Sequence, residues 1–414
     1  MQIQVEQPCP QCGGLITLQA SDRLLTCPYC GVKNFLQANG PFRYGLPGKV
    51  AAAEQDRLLH APYLRFKGNI FLVTESGISY RVVDTTRDGF PMPGLPPSLG
   101  MRPQAMKLVR LNAESRGRFL RLSVKAKVIL DKAARINDLS SKSGGELYHR
   151  AYIGENVSFI YLPLIRTDDM LIDAVVDQPL VALEKISSFP LKGAPFNPRW
   201  QVNFLATLCP RCGWSLDGEG DCLVLTCSNC DTAWQVGTAG LERISCKIVP
   251  GGTDTSVYLG FWKVSVHLPS MKIWSFADFM VQTNQPVIIR NQWHERVMNF
   301  WIPAFKLRPK IFLRTGRQLS ISQWRLDDEE EFHVRSNLYP VTLPSIEARQ
   351  AIKVILAASA TSPKKVFPYL SGAHAENISS TLVFLPFIDQ NHDWVQPQTR
   401  TVIAKSILCF GRSL

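Results

Sequence analysis

Cys9-Pro10-Gln11-Cys12-Gly13 and Cys27-Pro28-Tyr29-Cys30-Gly31 set two C-x2-C pairs close together, with fourteen residues between the inner cysteines. Two cysteines separated by two residues turn both sulfurs toward one point, and a second pair completes a tetrahedral S4 shell. Pro fixes one backbone angle in each knuckle, and Gly after the second cysteine supplies a left-handed φ. Between the knuckles, Leu15-Ile16-Thr17-Leu18 and Arg23-Leu24-Leu25-Thr26 read as two short strands around Ala20-Ser21-Asp22. A hairpin of that length brings the knuckles together.

The unit occurs twice. Cys209, Cys212, Cys227 and Cys230 repeat the spacing, each 200 positions after its counterpart. The last knuckle, Cys227-Ser228-Asn229-Cys230, lacks Pro and is followed by Asp231, a residue that still tolerates a left-handed turn. In residues 5–37 and 205–237 the chain resembles the zinc-ribbon family. The resemblance implies a structural zinc in each site, held by Cys9, Cys12, Cys27 and Cys30 and by Cys209, Cys212, Cys227 and Cys230. Rubredoxin-like iron uses the same paired knuckles and stands as the alternative. Disulfides are the weaker reading, because the sequence does not start with a basic stretch leading into an apolar core, and a reducing cytoplasm is expected. Cys222, Cys246 and Cys409 fall outside the pattern and read as buried small hydrophobes.

With 414 residues, 45% hydrophobic and 19% charged, the chain is globular, and the cysteine repeat divides it in two. No apolar run approaches the roughly 18 residues a membrane-spanning helix needs. Further landmarks recur in the same order. Tyr63-Leu64-Arg65-Phe66 aligns with Phe261-Trp262-Lys263-Val264, and Arg102-Pro103-Gln104 with Arg308-Pro309-Lys310. Lys127-Val128-Ile129-Leu130 recurs as Lys353-Val354-Ile355-Leu356, and Tyr161-Leu162-Pro163-Leu164-Ile165 as Phe384-Leu385-Pro386-Phe387-Ile388. Preserved order with drifting offsets is what duplication followed by loop insertion produces.

Residues 51–59 read as one or two helical turns, Tyr63–Val73 and Ile78–Val83 as a hairpin, and Val157–Ile165 as a strand. Leu122, Ala126, Ile129, Leu130, Ala133 and Ile136 fall at helical spacing, although Phe119–Ala126 also alternates as a strand would. Pro344-Ser345-Ile346-Glu347 reads as a Ser-capped helix start. The expected fold is α+β and β-rich: two homologous lobes, each a zinc ribbon followed by a β-rich body with about one helix. The expected boundaries are 1–40 and 205–240 for the ribbons and 41–204 and 241–414 for the bodies.

Catalysis finds no constellation. The seven histidines share no metal-ligand spacing, and no glycine-rich phosphate loop is present. The acidic run Asp327–Glu331 reads as a solvated loop or a contact for a basic partner. Charge is more informative: the net charge is +12, from 25 basic and 17 acidic residues up to Ala206 and 21 and 17 after it. Basic residues concentrate between Arg102 and Arg135, where Arg102, Lys107, Arg110, Arg116, Arg118 and Arg121 are candidates to bind an anionic partner. The bland reading is a solvated face whose stems cover apolar surface. Eight of nine tryptophans lie after residue 206, which suggests an exposed aromatic surface in the second half. These features together favour a non-enzymatic, cytoplasmic scaffold or adaptor binding proteins in a larger assembly. Nucleic-acid binding and iron-thiolate electron transfer are the competing classes.

Overall fold

Alternation decides the first strands. Val5 in β1 (Gln4–Pro8) and Ile16 and Leu18 in β2 (Leu15–Gln19) are buried while their neighbours are less so, and the two strands pair antiparallel with Val5 opposite Leu18. β3 (Leu24–Thr26) and β4 (Lys33–Ala38) form a second antiparallel pair with Leu24 opposite Phe35. These positions come from a computed structural model, which describes residues 3–123, 145–237, 240–326 and 328–412. The strands lie where the sequence places them, but β2 and β3 are not partners. Each knuckle is itself the turn of a hairpin, so the strands flanking it pair and Ala20–Arg23 becomes a connection.

The chain condenses into two units. Unit 1 holds Met1–Lys67, Val83–Lys142 and Asn156–Ala206; unit 2 holds Gly68–Val82, Ser143–Glu155 and Thr207–Leu414. The junction at Ala206 lies near the expected boundary at 204, but residues 68–82 and 143–155 belong with the second unit, so neither unit is a contiguous half.

In unit 1, β5 (Phe42–Gly45) runs parallel to β10 (Leu147–Arg166), with Tyr161 opposite Gly45. β6 (Leu58–Thr74) pairs with β10, with β7 (Gly77–Asp88) and with β9 (Arg118–Phe119), which gives the expected hairpin at β6–β7. β8 (Lys107–Arg110), β11 (Met170–Asp173) and β12 (Gln178–Ala182) complete the order β12-β11-β10-β5-β8-β1-β2, and β4 pairs separately with β13 (Val202–Ala206). Tyr44, Tyr63, Ile160, Leu162 and Leu164 are among the residues that fill the core. Ala52–Arg57 forms a short 3-10 helix where helical turns were expected. After residue 102 only Arg102–Ala105 is helical up to residue 123, and Lys107–Arg110 and Arg118–Phe119 are strands. The remaining positions of the expected amphipathic helix, Lys127–Leu130 included, lie outside the described residues.

In unit 2, β14 (Val224–Cys227), β15 (Thr232–Gly237) and β16 (Gly240–Arg243) form a small sheet. β17 (Cys246–Ile248), β18 (Val257–His267), β19 (Asn299–Pro303), β20 (Glu330–Glu331) and β21 (Glu376–Gln390) build a larger one, ordered β19-β18-β21-β17-β20. The helix Ser345–Ser359 carries Lys353–Leu356 as expected, but Ser345 is its first helical residue and makes no cap; Pro344 stands at the cap position. The helix Pro309–Ile321 approaches it at Gly316, where a Cβ would come within 2.6 Å of Ile355 Cδ1. Trp262 and Trp301 are fully buried, and Trp262 donates its indole N–H to the Leu343 carbonyl at 2.8 Å. Of the eight later tryptophans only Trp214 and Trp274 are exposed, so the surplus mostly fills the core. The acidic run is not a free loop either: Glu330–Glu331 pairs with β17, Glu329 holds Lys263 at 2.7 Å, and Glu331 pairs with Lys247.

Two of the repeated landmarks make similar pairings. β6 pairs with β10 as β18 pairs with β21. Leu46 donates its N–H to the Tyr161 carbonyl at 3.0 Å, and Val249 donates to the Phe384 carbonyl at 2.9 Å.

Candidate metal centres

A tetrahedral thiolate site with metal–sulfur bonds of about 2.3 Å has sulfur–sulfur edges of about 3.8 Å. Cys9 and Cys30 bring their Sγ atoms to 3.7 Å, as do Cys12 and Cys27. In the second quartet Cys209 and Cys230 stand at 3.6 Å and Cys212 and Cys227 at 3.5 Å. All four sulfurs of each quartet lie within 4.8 Å of one another, so both groups are already sized for a metal ion. Among the described residues they are the groups of three or more His, Cys, Asp or Glu side chains that converge in this way.

The backbone makes this geometry. In three knuckles the glycine after the second cysteine is left-handed, with φ of 72° at Gly13, 74° at Gly31 and 75° at Gly213. Asp231 fills the fourth position at φ 50°, and its carboxylate accepts the Val334 N–H at 2.8 Å, which anchors a knuckle that lacks both Pro and Gly. The tight turn returns the chain: Gly13 and Gly31 donate to the carbonyls of Cys9 and Cys27 at 3.0 Å, and Gly213 to that of Cys209 at 2.8 Å. The first cysteine of every knuckle is buried, whereas Cys12, Cys30 and Cys212 are exposed and Cys230 is half-buried.

Turns of this shape aim N–H groups at sulfur. At Cys27 burial pushes the thiol up, but the N–H groups of Cys30 and Tyr29 outweigh it and hold the group at about 6. Cys209 is likewise held at about 6, with burial again outweighed by the N–H groups of Arg211 and Cys212. Their partners move the other way: Cys30, against the Val32 N–H, and Cys227 are pushed up to about 12 by burial and by the neighbouring sulfurs. The donors thus favour a thiolate in each quartet, and the remaining thiols give up their protons as metal binds. The second centre has an extra partner: Thr232 Oγ1 lies 3.1 Å from Cys230 Sγ and accepts the Trp234 indole N–H at 2.9 Å. Val32 stands at the corresponding place in the first unit and offers no hydroxyl. Sequence reading missed this contact, which a comparison of the two repeats at this one position would have revealed.

The other candidates scatter. Cys222 and Cys246 are buried as expected, but Cys409 is exposed. Arg102 pairs with Asp173 at 2.5 Å, and Lys107 lies 3.7 Å from Glu6. Arg116 bonds Gln55, Arg118 donates to the Lys192 carbonyl at 2.7 Å, and Arg121 is exposed. Arg110 is withdrawn from the surface, its guanidinium lying over Phe42 and Tyr44. The six therefore do not form one continuous face, and Lys125, Lys127, Lys132 and Arg135 lie outside the described residues.

No family model, no curated protein and no solved structure matches this chain.

Proposed function

We propose that this chain is a non-enzymatic zinc-binding adaptor, built by duplication, whose two metal centres present contact surfaces to partner proteins in a larger cytoplasmic assembly. The carrying observation is that four large apolar side chains at the knuckles are exposed, although others such as Ile288 and Ile346 are exposed elsewhere. Tyr29, between the cysteines of its knuckle, is 70% exposed, and Leu15, two residues beyond Gly13, is 54% exposed. In the second unit Trp214, two residues after Cys212, and Leu208, just before Cys209, are each 56% exposed. Aromatic side chains held on a rigid turn lose little entropy on docking, and Tyr and Trp dominate interface hot spots.

Zinc fits because each quartet supplies four protein ligands and closes the coordination shell, the pattern of structural sites. Duplication is supported by the like placement of the four cysteines and of the Leu46–Tyr161 and Val249–Phe384 bonds. The test purifies the tagged chain from its native host beside a Tyr29→Ala/Trp214→Ala variant, with zinc measured in both. Partner proteins recovered with the parent and lost from the variant at equal zinc content support the reading. Recovery unchanged by the variant overturns it, as does a red iron-thiolate spectrum, and salt-sensitive retention of nucleic acid alone favours the nucleic-acid class.

A further inference from the structure

Four cations from four separate stretches of unit 1 converge on one small cavity. Arg57 closes the 3-10 helix Ala52–Arg57, Arg118 belongs to β9, Arg166 ends β10, and Lys192 lies in the loop beyond the 3-10 turn Leu183–Ile186. Together with Asp56, Leu59 and Leu191 they line a cavity of about 260 Å³. The wall therefore carries four positive charges against the one of Asp56. Asp168 approaches Arg57 at 3.7 Å but is 94% exposed, so water screens it. Among the described residues no carboxylate lies in ion-pair range of Arg118, Arg166 or Lys192.

The arrangement is held by backbone. Arg118 sits opposite Leu59 in the parallel β6–β9 pair, and its Nε–H donates to the Lys192 carbonyl at 2.7 Å. Phe119 and Ala194 exchange N–H bonds at 2.7 and 2.9 Å, which fastens the Lys192 loop beside β9. Gly193 makes this approach possible: its φ is 53°, and a Cβ there would meet Arg118 Cβ at 3.0 Å. Like charges gathered in a concave wall repel one another, and the repulsion is relieved by a ligand of opposite and multiple charge.

We infer that this cavity is a binding site for a phosphate group, the terminal phosphate of a phosphomonoester or a diphosphate. A monocarboxylate would leave most of the positive charge unbalanced, whereas guanidinium forks match the tetrahedral oxygens of a dianion. The volume suits a phosphate head with little attached to it. Among the described residues no aromatic side chain lines the cavity to stack a base, which disfavours a nucleic-acid strand.

Inorganic pyrophosphate, titrated calorimetrically into the full-length protein in a phosphate-free buffer, should bind, and binding should weaken as salt rises. Arg166→Glu should reduce affinity at least tenfold, and Lys192→Glu should do the same. Arg118→Glu also breaks the bond to the Lys192 carbonyl, so the two other variants, whose melting should match the parent, carry the test. Arg335→Glu, on unit 2, should bind like the parent. Vesicles containing phosphatidic acid, compared with phosphatidylserine vesicles, distinguish a lipid headgroup from a free phosphate: capture of the former only, through Arg166, assigns the same chemistry to a lipid source. The inference is overturned by absence of pyrophosphate binding at millimolar concentration, by binding that Arg166→Glu leaves intact, or by binding confined to oligonucleotides.

Discussion

The Glu347 carboxylate accepts the backbone N–H of Gly154 at 2.7 Å, and the same oxygen takes the N–H of Glu155 at 3.1 Å. The side chain is buried, and burial, assisted by the Glu155 carboxylate, pushes the group up to about 7 against the pull of the two N–H bonds and Lys306. The folded protein thus holds this proton more tightly than the unfolded chain does. Its stabilising contribution is complete below the ordinary carboxylate range and is lost as pH rises toward 7. Glu347→Gln keeps an acceptor and removes the charge. The variant should gain stability over the parent between about pH 5 and pH 7, by roughly 3 kcal/mol at most. Melting curves of both proteins across that range check it, and parallel pH profiles would refute the assignment.

The metal centres were legible because a C-x2-C knuckle is a local device: spacing, Pro and Gly set the sulfurs with little help from the rest of the chain. Even the substitute at Asp231 could be read, since left-handed φ is a property of one residue. Strand pairing was legible less far. Leu15–Leu18 and Leu24–Thr26 are strands within the expected ranges, yet their partners are β1 and β4, because alternation gives a strand its buried face without naming its neighbour. The discontinuous units were invisible for a related reason: β6 and β10 are long enough to serve both, and length alone does not say where one core ends. The tryptophan inference failed on burial, since Trp262 and Trp301 fill volume that composition alone cannot distinguish from surface.

Two closed thiolate shells imply two equivalents of metal. The purified protein should carry close to two zinc ions, and Cys9→Ser or Cys209→Ser should each remove one. Because structural zinc contributes folding energy directly, each change should destabilise its own unit by several kcal/mol and leave the other ribbon loaded. Metal analysis beside hydrogen exchange resolves the two effects. Loss of both ions from either single variant would mean the centres are not independent.

Gly316 allows the helix Pro309–Ile321 to pack on Ser345–Ser359. A Cβ there would meet Ile355 Cδ1 at 2.6 Å and the Trp301 carbonyl at 3.2 Å, the first a side-chain atom and the second backbone. Ile355 is fully buried and stiff at its branch, so Gly316→Ala should cost roughly 1–2 kcal/mol even though helix propensity favours alanine by about 1 kcal/mol. Gly316→Val adds branches that face the rigid carbonyl as well, and should lose roughly 3 kcal/mol or more. Denaturant midpoints of the two variants measure the difference, and equal values would place the space elsewhere.

Arg110 gives the last test. Its side chain is 5% exposed, and among the described residues no hydrogen-bond acceptor meets Nε or either terminal nitrogen, although the guanidinium lies 4.8 Å from the Phe42 ring and 5.8 Å from that of Tyr44. Burial lowers its affinity for a proton, with Tyr44 and Asp22 opposing the shift. A buried cation without acceptors is expensive, and the two ring faces offset only part of that cost. Arg110→Met, similar in length and apolar, should be neutral or stabilise unit 1 by about 1 kcal/mol. Arg110→Glu places a carboxylate against the same two rings, which repel negative charge with their faces, and should cost roughly 3 kcal/mol or more. The exposed neighbour Arg121→Glu should change stability by less than about 0.5 kcal/mol. Chemical denaturation of the three variants orders them. If Arg110→Met proves as damaging as Arg110→Glu, the guanidinium has a bound acceptor in solution, and this position belongs with the anion-binding residues rather than with the core.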